Sequence, residues 1–374
     1  MLPGEEIKQM DSHFFRNVIL KALLLFIILN LVLVFMPDKS GAEQVSLYNH
    51  FLPGRQRFPF GEAAQQAYNF SLYDLDTMFA AHEVSALAAE NEVRVFLLGD
   101  SSVWGTLLTT EDNLSGQLNA ANATCNGKTM RFYNLGYPTI SLTKDLMVLQ
   151  RAMRYEPDLI LWLTTLEAFP LEKQLASPLA ENNPQRIQPL VNDFDLPLTV
   201  NPLPDDLLSR SLWGRRRAIA DWLRLQAYGV MWAATGVDQI YPLYEPAAWD
   251  QKDDNAFQEF EPPQIPVDQL LWQALPAAKE IAKGVPLILV NEPIMISTGE
   301  NSDIRYNFFY PRWAYDSFRG DLEKHSLESG IPLIDVWNQV DASQFTNSAI
   351  HLTPQGEKVL AEMLLEKILQ QTCH

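Results

Sequence analysis

The stretch VRVFLLGDSSVWG, residues 93 to 105, sets an apolar run directly against Gly-Asp-Ser-Ser. A strand exposed on one face alternates polar and apolar residues. A near-continuous run such as Val93 to Leu98 suits a strand buried on both faces. Ser101 is then either a nucleophile at the carboxyl end of a core strand or a hydroxyl in a tight turn. In the second case Asp100 and Ser101 only cap the helix that follows. The tetrapeptide does not choose between these, so the rest of the chain must.

Four further apolar runs of the same kind occur: MRFYNL (130–135), DLILWLT (158–164), PLILV (286–290) and IPLIDV (331–336). Helical patterns lie between them, as in TKDLMVLQRAMRY (143–155), and residues 72–90 also read as helical. The last element, TPQGEKVLAEMLLEKILQQ, offers Thr353 as N-cap and Pro354 at the first helical position. Strands alternating with helices predict a parallel α/β sheet with right-handed crossovers. Residues 170–280 break this rhythm with many prolines, a Trp-rich stretch at 211–235 and an acidic segment at 250–261. They read as a mostly helical insertion between the third and fourth strands, either a structural cap or a substrate-binding lid. Trp213, Trp222 and Trp232 fill its core or serve a partner surface.

The chain has 374 residues, 47% of them hydrophobic, enough for a sizeable core. Its net charge of −18 argues against a nucleic-acid partner, which needs basic patches. The short run Arg215-Arg216-Arg217 reads as a solvated helix face. Residues 17–36, NVILKALLLFIILNLVLVFM, are apolar apart from Asn17, Lys21 and Asn30. Twenty helical residues span about 30 Å, one hydrocarbon core. An uncleaved membrane anchor is the expectation. A signal peptide, whose apolar region is usually shorter, is the alternative. Lys8, Arg16 and Lys21 weakly favour a cytoplasmic N-terminus at 1–16, with a juxtamembrane linker at 37–70 and an extracytoplasmic domain over 71–374. Cys125 and Cys373 could pair in an oxidising compartment, but two cysteines do not define a framework. No metal-ligand spacing appears, and no cofactor is expected.

In an open α/β sheet, ligands sit beyond the carboxyl ends of the strands. Gly99, Asp100, Ser101 and Ser102 follow the first strand. Asn134, Gly136 and Tyr137 lie around the end of the second. Thr164, Thr165 and Glu167 follow the third, and Asn291 and Glu292 the fourth. His351 follows the fifth, on the loop NSAIHLTPQG. These groups would converge on one rim. A serine hydroxyl is a poor nucleophile until a base takes its proton, and an imidazole that titrates near neutrality is a suitable base. Backbone N–H groups near Ser101, with that of Gly136, would stabilise an oxyanion.

GDSS after a first strand, NLGYP after a second and HLTPQG before a C-terminal helix together resemble the SGNH/GDSL hydrolase superfamily, over roughly residues 92–370 without the insertion. The resemblance implies a flavodoxin-like three-layer α/β/α fold with a five-stranded parallel sheet. It also implies Ser101 as nucleophile, Gly136 as an oxyanion donor and His351 as base. Two positions depart from the family. Leu166 stands where a further oxyanion donor, an Asn, is usual, leaving Thr164, Thr165 or Asn134 to substitute. Ser348 stands three residues before the His, where an Asp is usual, with Asn347 beside it. A Ser-His dyad, a recruited acid such as Asp341, or a slow or inactive site all remain open.

The stretch SDIRYNFFYPRWAYDSFR (302–319) follows the fourth strand. It gathers Tyr306, Phe308, Phe309, Tyr310, Trp313 and Tyr315 with Arg305 and Arg312; the rings read as a stacking platform beside the site, or as a cover for the sheet's edge, and Arg312 as a ligand for a substrate carboxylate or phosphate. Asp100, Asn291 and Glu292 are further substrate-binding candidates. Three functions follow. One is a membrane-anchored serine esterase. Another is an O-acyltransferase that modifies a cell-surface glycopolymer beside a multi-spanning membrane acyltransferase, a layout similar to alginate O-acetylation and teichoic-acid D-alanylation proteins. The third is an inactive binding or assembly subunit.

Overall fold

The structure, a computed structural model, describes residues 12–35, 54–60, 73–86, 91–201, 206–235 and 244–373. Six strands form one sheet: β1 (Glu92–Leu98), β2 (Thr124–Cys125), β3 (Lys128–Asn134), β4 (Leu159–Thr164), β5 (Leu287–Asn291) and β6 (Leu333–Asp335). Their order is β2-β3-β1-β4-β5-β6. The five predicted strands are there, all parallel to one another. Without β2 the order is the doubly wound flavodoxin-like one, in which the chain leaves β1 for β3 on one side and β4 on the other. That reversal opens a crevice at the carboxyl end of β1, where Gly99-Asp100-Ser101 begins.

The sixth strand corrects the expected count of five. β2 is a two-residue antiparallel edge on β3. Its turn is Asn126-Gly127, with φ of 50° and 79°. A two-residue hairpin loop of primed type needs positive φ at both positions, and Asn-Gly is its strongest sequence signal.

Strand side chains alternate between two packed layers, as the pleat requires. Phe96, Leu98, Ile160, Trp162 and Leu289 face one layer, with the helices Leu75–Ala81, Leu142–Ala152, Ala274–Ile281 and Arg312–Ser329. Val95, Leu97, Phe132, Leu161 and Val290 face the other, with the helices Leu114–Ala120 and Pro354–Thr372. Each fully buried large side chain contributes roughly 1.5–3 kcal/mol. Thr353 caps the last helix, its side chain accepting the Gly356 N–H, and Pro354 takes the first helical position. A Cys125–Cys373 disulfide pins the end of that helix to the β2 edge.

Two boundaries differ from expectation. The helix expected over 72–90 is shorter, Leu75–Ala81, with a 3₁₀ turn at Glu83–Ser85. Most of the expected linker 37–70 lies outside the described residues, but 54–60 is docked rather than free. Phe58 is fully buried, Arg55 bridges to His82, and Arg57 stacks 4.1 Å over Trp104.

The insertion leaves after β4 and returns where Pro170 meets Leu270 in an antiparallel bridge. About half of its described part is helical: 244–266 carry no helix, while the helices include Pro184–Asp193 and Arg216–Thr235. These two pack on Leu142–Ala152 and Leu75–Ala81, on one side of the sheet. Trp213 is exposed and Trp222 partly buried; the side chain of Trp232 lies outside the described residues. Ahead of the domain stands the helix Ser12–Phe35, long and apolar enough to cross a membrane, with none of its described side chains buried. Residues 1–11 lie outside the described residues.

Candidate active site

Ser101 opens the short helix Ser101–Trp104 directly after β1. Asp100 caps it, its Oδ1 accepting the Ser102 N–H at 2.8 Å. Arg57 donates to the Gly105 and Leu108 carbonyls, and the Trp104 indole N–H donates to Phe58 O at 2.8 Å. The helix is thus clamped from outside by residues 57 and 58. From inside it is clamped by Asn134, whose Nδ2 donates to Val103 O at 2.7 Å.

His351 sits on a loop closed by a Phe345–Leu352 bridge, with Thr346 N–H donating to His351 O at 2.8 Å. That closure turns Asn347 back under the ring. His351 Nε2 lies 2.8 Å from Ser101 Oγ, and its Nδ1 lies 2.9 Å from Asn347 Oδ1. With Oδ1 accepting from Nδ1–H, the Nε2 lone pair faces the serine, the tautomer a general base needs. Burial pushes the His351 pKa down to about 4, so the imidazole is neutral at physiological pH.

The other acid candidates lie elsewhere. Asp341 is exposed and caps a 3₁₀ turn, its carboxylate accepting from Ser343 N and Oγ, bonds that hold its pKa low. Ser348 is buried in the same loop, but the group at hydrogen-bonding distance from Nδ1 belongs to Asn347.

The predicted oxyanion donors are placed differently from expectation. Gly136 N–H donates to Asn134 Oδ1 at 3.0 Å, so both groups satisfy each other. A Cβ at Gly136 would stand 2.6 Å from Trp104 N, so this glycine lets β3's exit pack against the Ser101 helix. Thr165 is fully buried with its Oγ accepting from the Tyr310 hydroxyl, and Thr164 is also buried. The donor left at the turn is the Ser101 N–H itself, which as the first helical residue has no intrahelical acceptor.

Much of the 302–319 segment packs inward, while Phe308 stays exposed beside the half-buried Phe309. Tyr310 is fully buried and Tyr306 nearly so. Arg312 donates to Ser302 O and lies 4.3 Å over the Tyr306 ring, and the Trp313 indole donates to Asn255 O. Arg305 gathers five carbonyls, those of Asp254, Ala256, Asn307, Phe308 and Phe309, which folds the segment inward. Asn291 is fully buried and ties the ends of β5 and β6 through Asp335, while accepting from the Tyr315 hydroxyl.

Behind Ser101 lies a set of buried ionisable groups, of which the sequence singles out Asp100 and Glu292 but not Lys144, Asp145 or Glu357. Lys144 is fully buried; its Nζ donates to Gly99 O at 2.7 Å and Tyr137 O at 3.0 Å, and pairs with Asp145 at 2.8 Å. Glu292 accepts from the Ser102 hydroxyl. Burial, reinforced by the Asp100 carboxylate, raises the Glu292 pKa well above its ordinary value. Glu357, on the first turn of the last helix, is raised to about 8 by burial. Glu292 Oε1 and Glu357 Oε2 are buried without a hydrogen-bond partner. Both residues line a cavity of about 10 Å³ with Ser102, Ile350 and Leu352, room for one water. Among the described residues no cluster fit to hold a metal occurs.

No protein-family model matches this sequence, and no curated protein matches it significantly. Solved structures do. A putative lipolytic protein of the G-D-S-L family from Desulfitobacterium hafniense DCB-2 aligns at 11% identity and TM-score 0.31, over 73% of this chain and 98% of that one. A gut microbial diltiazem-metabolizing enzyme aligns at 11% and 0.34, over 75% and 48%. An acetyl xylan esterase from the rumen bacterium Butyrivibrio proteoclasticus aligns at 8% and 0.31, over 76% and 65%. At these scores the likeness carries no weight for the chemistry, which stands on the distances above.

Proposed function

We propose that the chain is a membrane-anchored serine esterase of SGNH/GDSL type that cleaves acyl esters through Ser101 and His351. One observation carries this reading: Ser101 Oγ lies 2.8 Å from an imidazole nitrogen whose partner nitrogen is held by Asn347. Ser101 Oγ attacks the acyl carbonyl while His351 Nε2 takes its proton. The oxyanion forms against the Ser101 N–H. Collapse expels the alcohol, which takes the proton back from His351, and leaves the acyl group on Ser101. Water, deprotonated by the same imidazole, then releases the acid and restores the serine.

A second reading is favoured by Trp249, an exposed ring two residues beyond Ala247, whose N–H pairs with Thr346 O beside Asn347. An exposed ring there suits a sugar face. The acyl acceptor would then be a glycopolymer hydroxyl instead of water, with a multi-spanning membrane acyltransferase as donor partner.

A fluorophosphonate probe tests the shared step. It should label the full chain in detergent, and Ser101→Ala should abolish labelling. Labelling that persists or moves to Ser102 refutes the assignment. No labelling of a folded chain supports the non-catalytic subunit instead. Turnover of p-nitrophenyl acetate with and without an oligosaccharide acceptor then divides hydrolysis from transfer.

A further inference from the structure

Asn30 is the only polar side chain between Leu24 and Phe35 of the N-terminal helix. In hydrocarbon an unsatisfied amide costs several kcal/mol, so its bonds must go somewhere. Its Nδ2 donates to Phe26 O at 2.8 Å, one turn back. Its Oδ1 accepts the backbone N–H of Leu212 at 3.0 Å, and Leu212 belongs to the insertion. The helix is partly covered there, at Asn30, Leu33 and Val34, and bare along the rest of its length.

Around that contact the insertion presents apolar side chains to the outside. Leu207 is 70% exposed, Leu208 62% and Trp213 66%, in a domain whose other large apolar residues are mostly interior. The turn Leu207–Arg210 is locally stable: Asp206 caps it and Ser209 closes a capping box. Arg216 fixes the indole, donating to Trp213 O at 2.5 Å with its guanidinium 4.8 Å over the ring. Trp is enriched at membrane–water interfaces, and an Arg there can keep its charged head in water.

The height of the contact decides what covers this face. Asn30 lies five residues before Phe35, which at 1.5 Å per residue is about 7.5 Å inward from the helix end. A segment that reaches Asn30 of a spanning helix stands at the depth where interfacial elements lie, about 5–10 Å below the surface. We propose that residues 207–213 dip into the headgroup–acyl boundary of the bilayer that holds Ser12–Phe35, lipid being the partner of Leu207, Leu208 and Trp213. This rests on reading Ser12–Phe35 as a membrane span. A single helix would restrain only the domain's distance from the bilayer. A second attachment restrains its rotation as well, and so the direction the Ser101 rim faces.

The test places an environment-sensitive fluorophore on Leu208→Cys in the full chain, where the two native cysteines are already paired. Leu327→Cys, 80% exposed on the helix Arg312–Ser329, is the aqueous reference, and Trp213→Cys repeats the test if the first variant folds poorly. The chain is reconstituted at single-copy occupancy in phosphatidylcholine–phosphatidylglycerol vesicles, so that neither a protein partner nor a second copy is present. The label at position 208 should be blue-shifted, and quenched several-fold more by nitroxide lipid than the label at position 327. If the chain resists carbonate extraction yet the label at position 208 is as open to aqueous iodide as that at 327, the lipid contact is refuted and the face belongs to a protein. If carbonate extracts the chain, the span reading fails and the proposal falls with it.

Discussion

If Ser101 and His351 act as proposed, Asn347→Asp should raise the rate of ester cleavage. A carboxylate there would lie about where Asn347 Oδ1 lies, 2.9 Å from His351 Nδ1. Unit charges 4 Å apart attract by about 4 kcal/mol at an effective dielectric of 20. Ser101, Asn347 and His351 keep some contact with water, which lowers this to about 2–3 kcal/mol and so to a gain of roughly thirty- to 150-fold in kcat/KM. The gain arises because the imidazolium forms only as the serine proton transfers, so the carboxylate stabilises the transition state more than the ground state. It is smaller than the factor of about 10⁴ separating Asp from Asn in the serine-protease triad, part of which reflects a wrong tautomer. Here Asn347 Oδ1 already selects the productive one. The pH profile carries a second signature. His351 works as a base only when neutral, and burial holds its pKa near about 4, so the acid limb of the native profile lies low. The carboxylate raises that pKa by about two units, so the limb moves toward neutrality and the gain is complete only above it. Rates of fluorophosphonate labelling and of p-nitrophenyl acetate turnover across the pH range measure both. A folded variant with unchanged rate and an unmoved acid limb would show that His351 is not the base or that Asn347 does not orient it.

Three further outcomes follow from the surrounding contacts. Glu357 has a folded pKa of about 8 against an ordinary 4.5, so its contribution to stability is fully present below the lower value and lost as pH rises through the higher one. Glu357→Gln should therefore raise the unfolding free energy at alkaline pH by up to roughly 5 kcal/mol, read as a higher urea midpoint, and leave it unchanged in acid; equal effects at both would contradict a buried acid. Gly136→Ala puts a Cβ 2.6 Å from Trp104 N and should destabilise the fold by about 1–3 kcal/mol, with loss of probe labelling as the Ser101 helix shifts; a neutral result refutes the packing role. Replacing Cys125 and Cys373 together by serine opens a loop spanning 248 residues and should lower unfolding free energy by about 3–5 kcal/mol, read as a urea midpoint that reductant shifts only in the native chain.

What the sequence disclosed follows from what periodicity encodes. Strands buried on both faces must be apolar throughout, so β1, β3, β4, β5 and β6 were legible as runs, and their carboxyl ends named the rim where Ser101 and His351 lie. β2 has two residues and no run; only Asn126-Gly127 signalled it. Counting back from His351 pointed to Ser348, but the Phe345–Leu352 bridge sets that loop's register and brings Asn347 under the ring instead. Pattern also leaves out which bonds a polar group already makes. Residue type marks Gly136 N–H as an oxyanion donor, but Asn134 Oδ1 already accepts from it; likewise the aromatic run at 306–315 carries no sign that Arg305 draws the Phe308 and Phe309 carbonyls inward. Arg57 and Phe58 clamp the Ser101 helix from 46 and more residues away, a contact with no local trace. The same reasoning explains Asn30. As sequence it was a blemish in a hydrophobic span, and nothing within the span could satisfy both ends of its amide. A polar group that the local pattern cannot satisfy points to a distant partner, and here that partner is the backbone of Leu212.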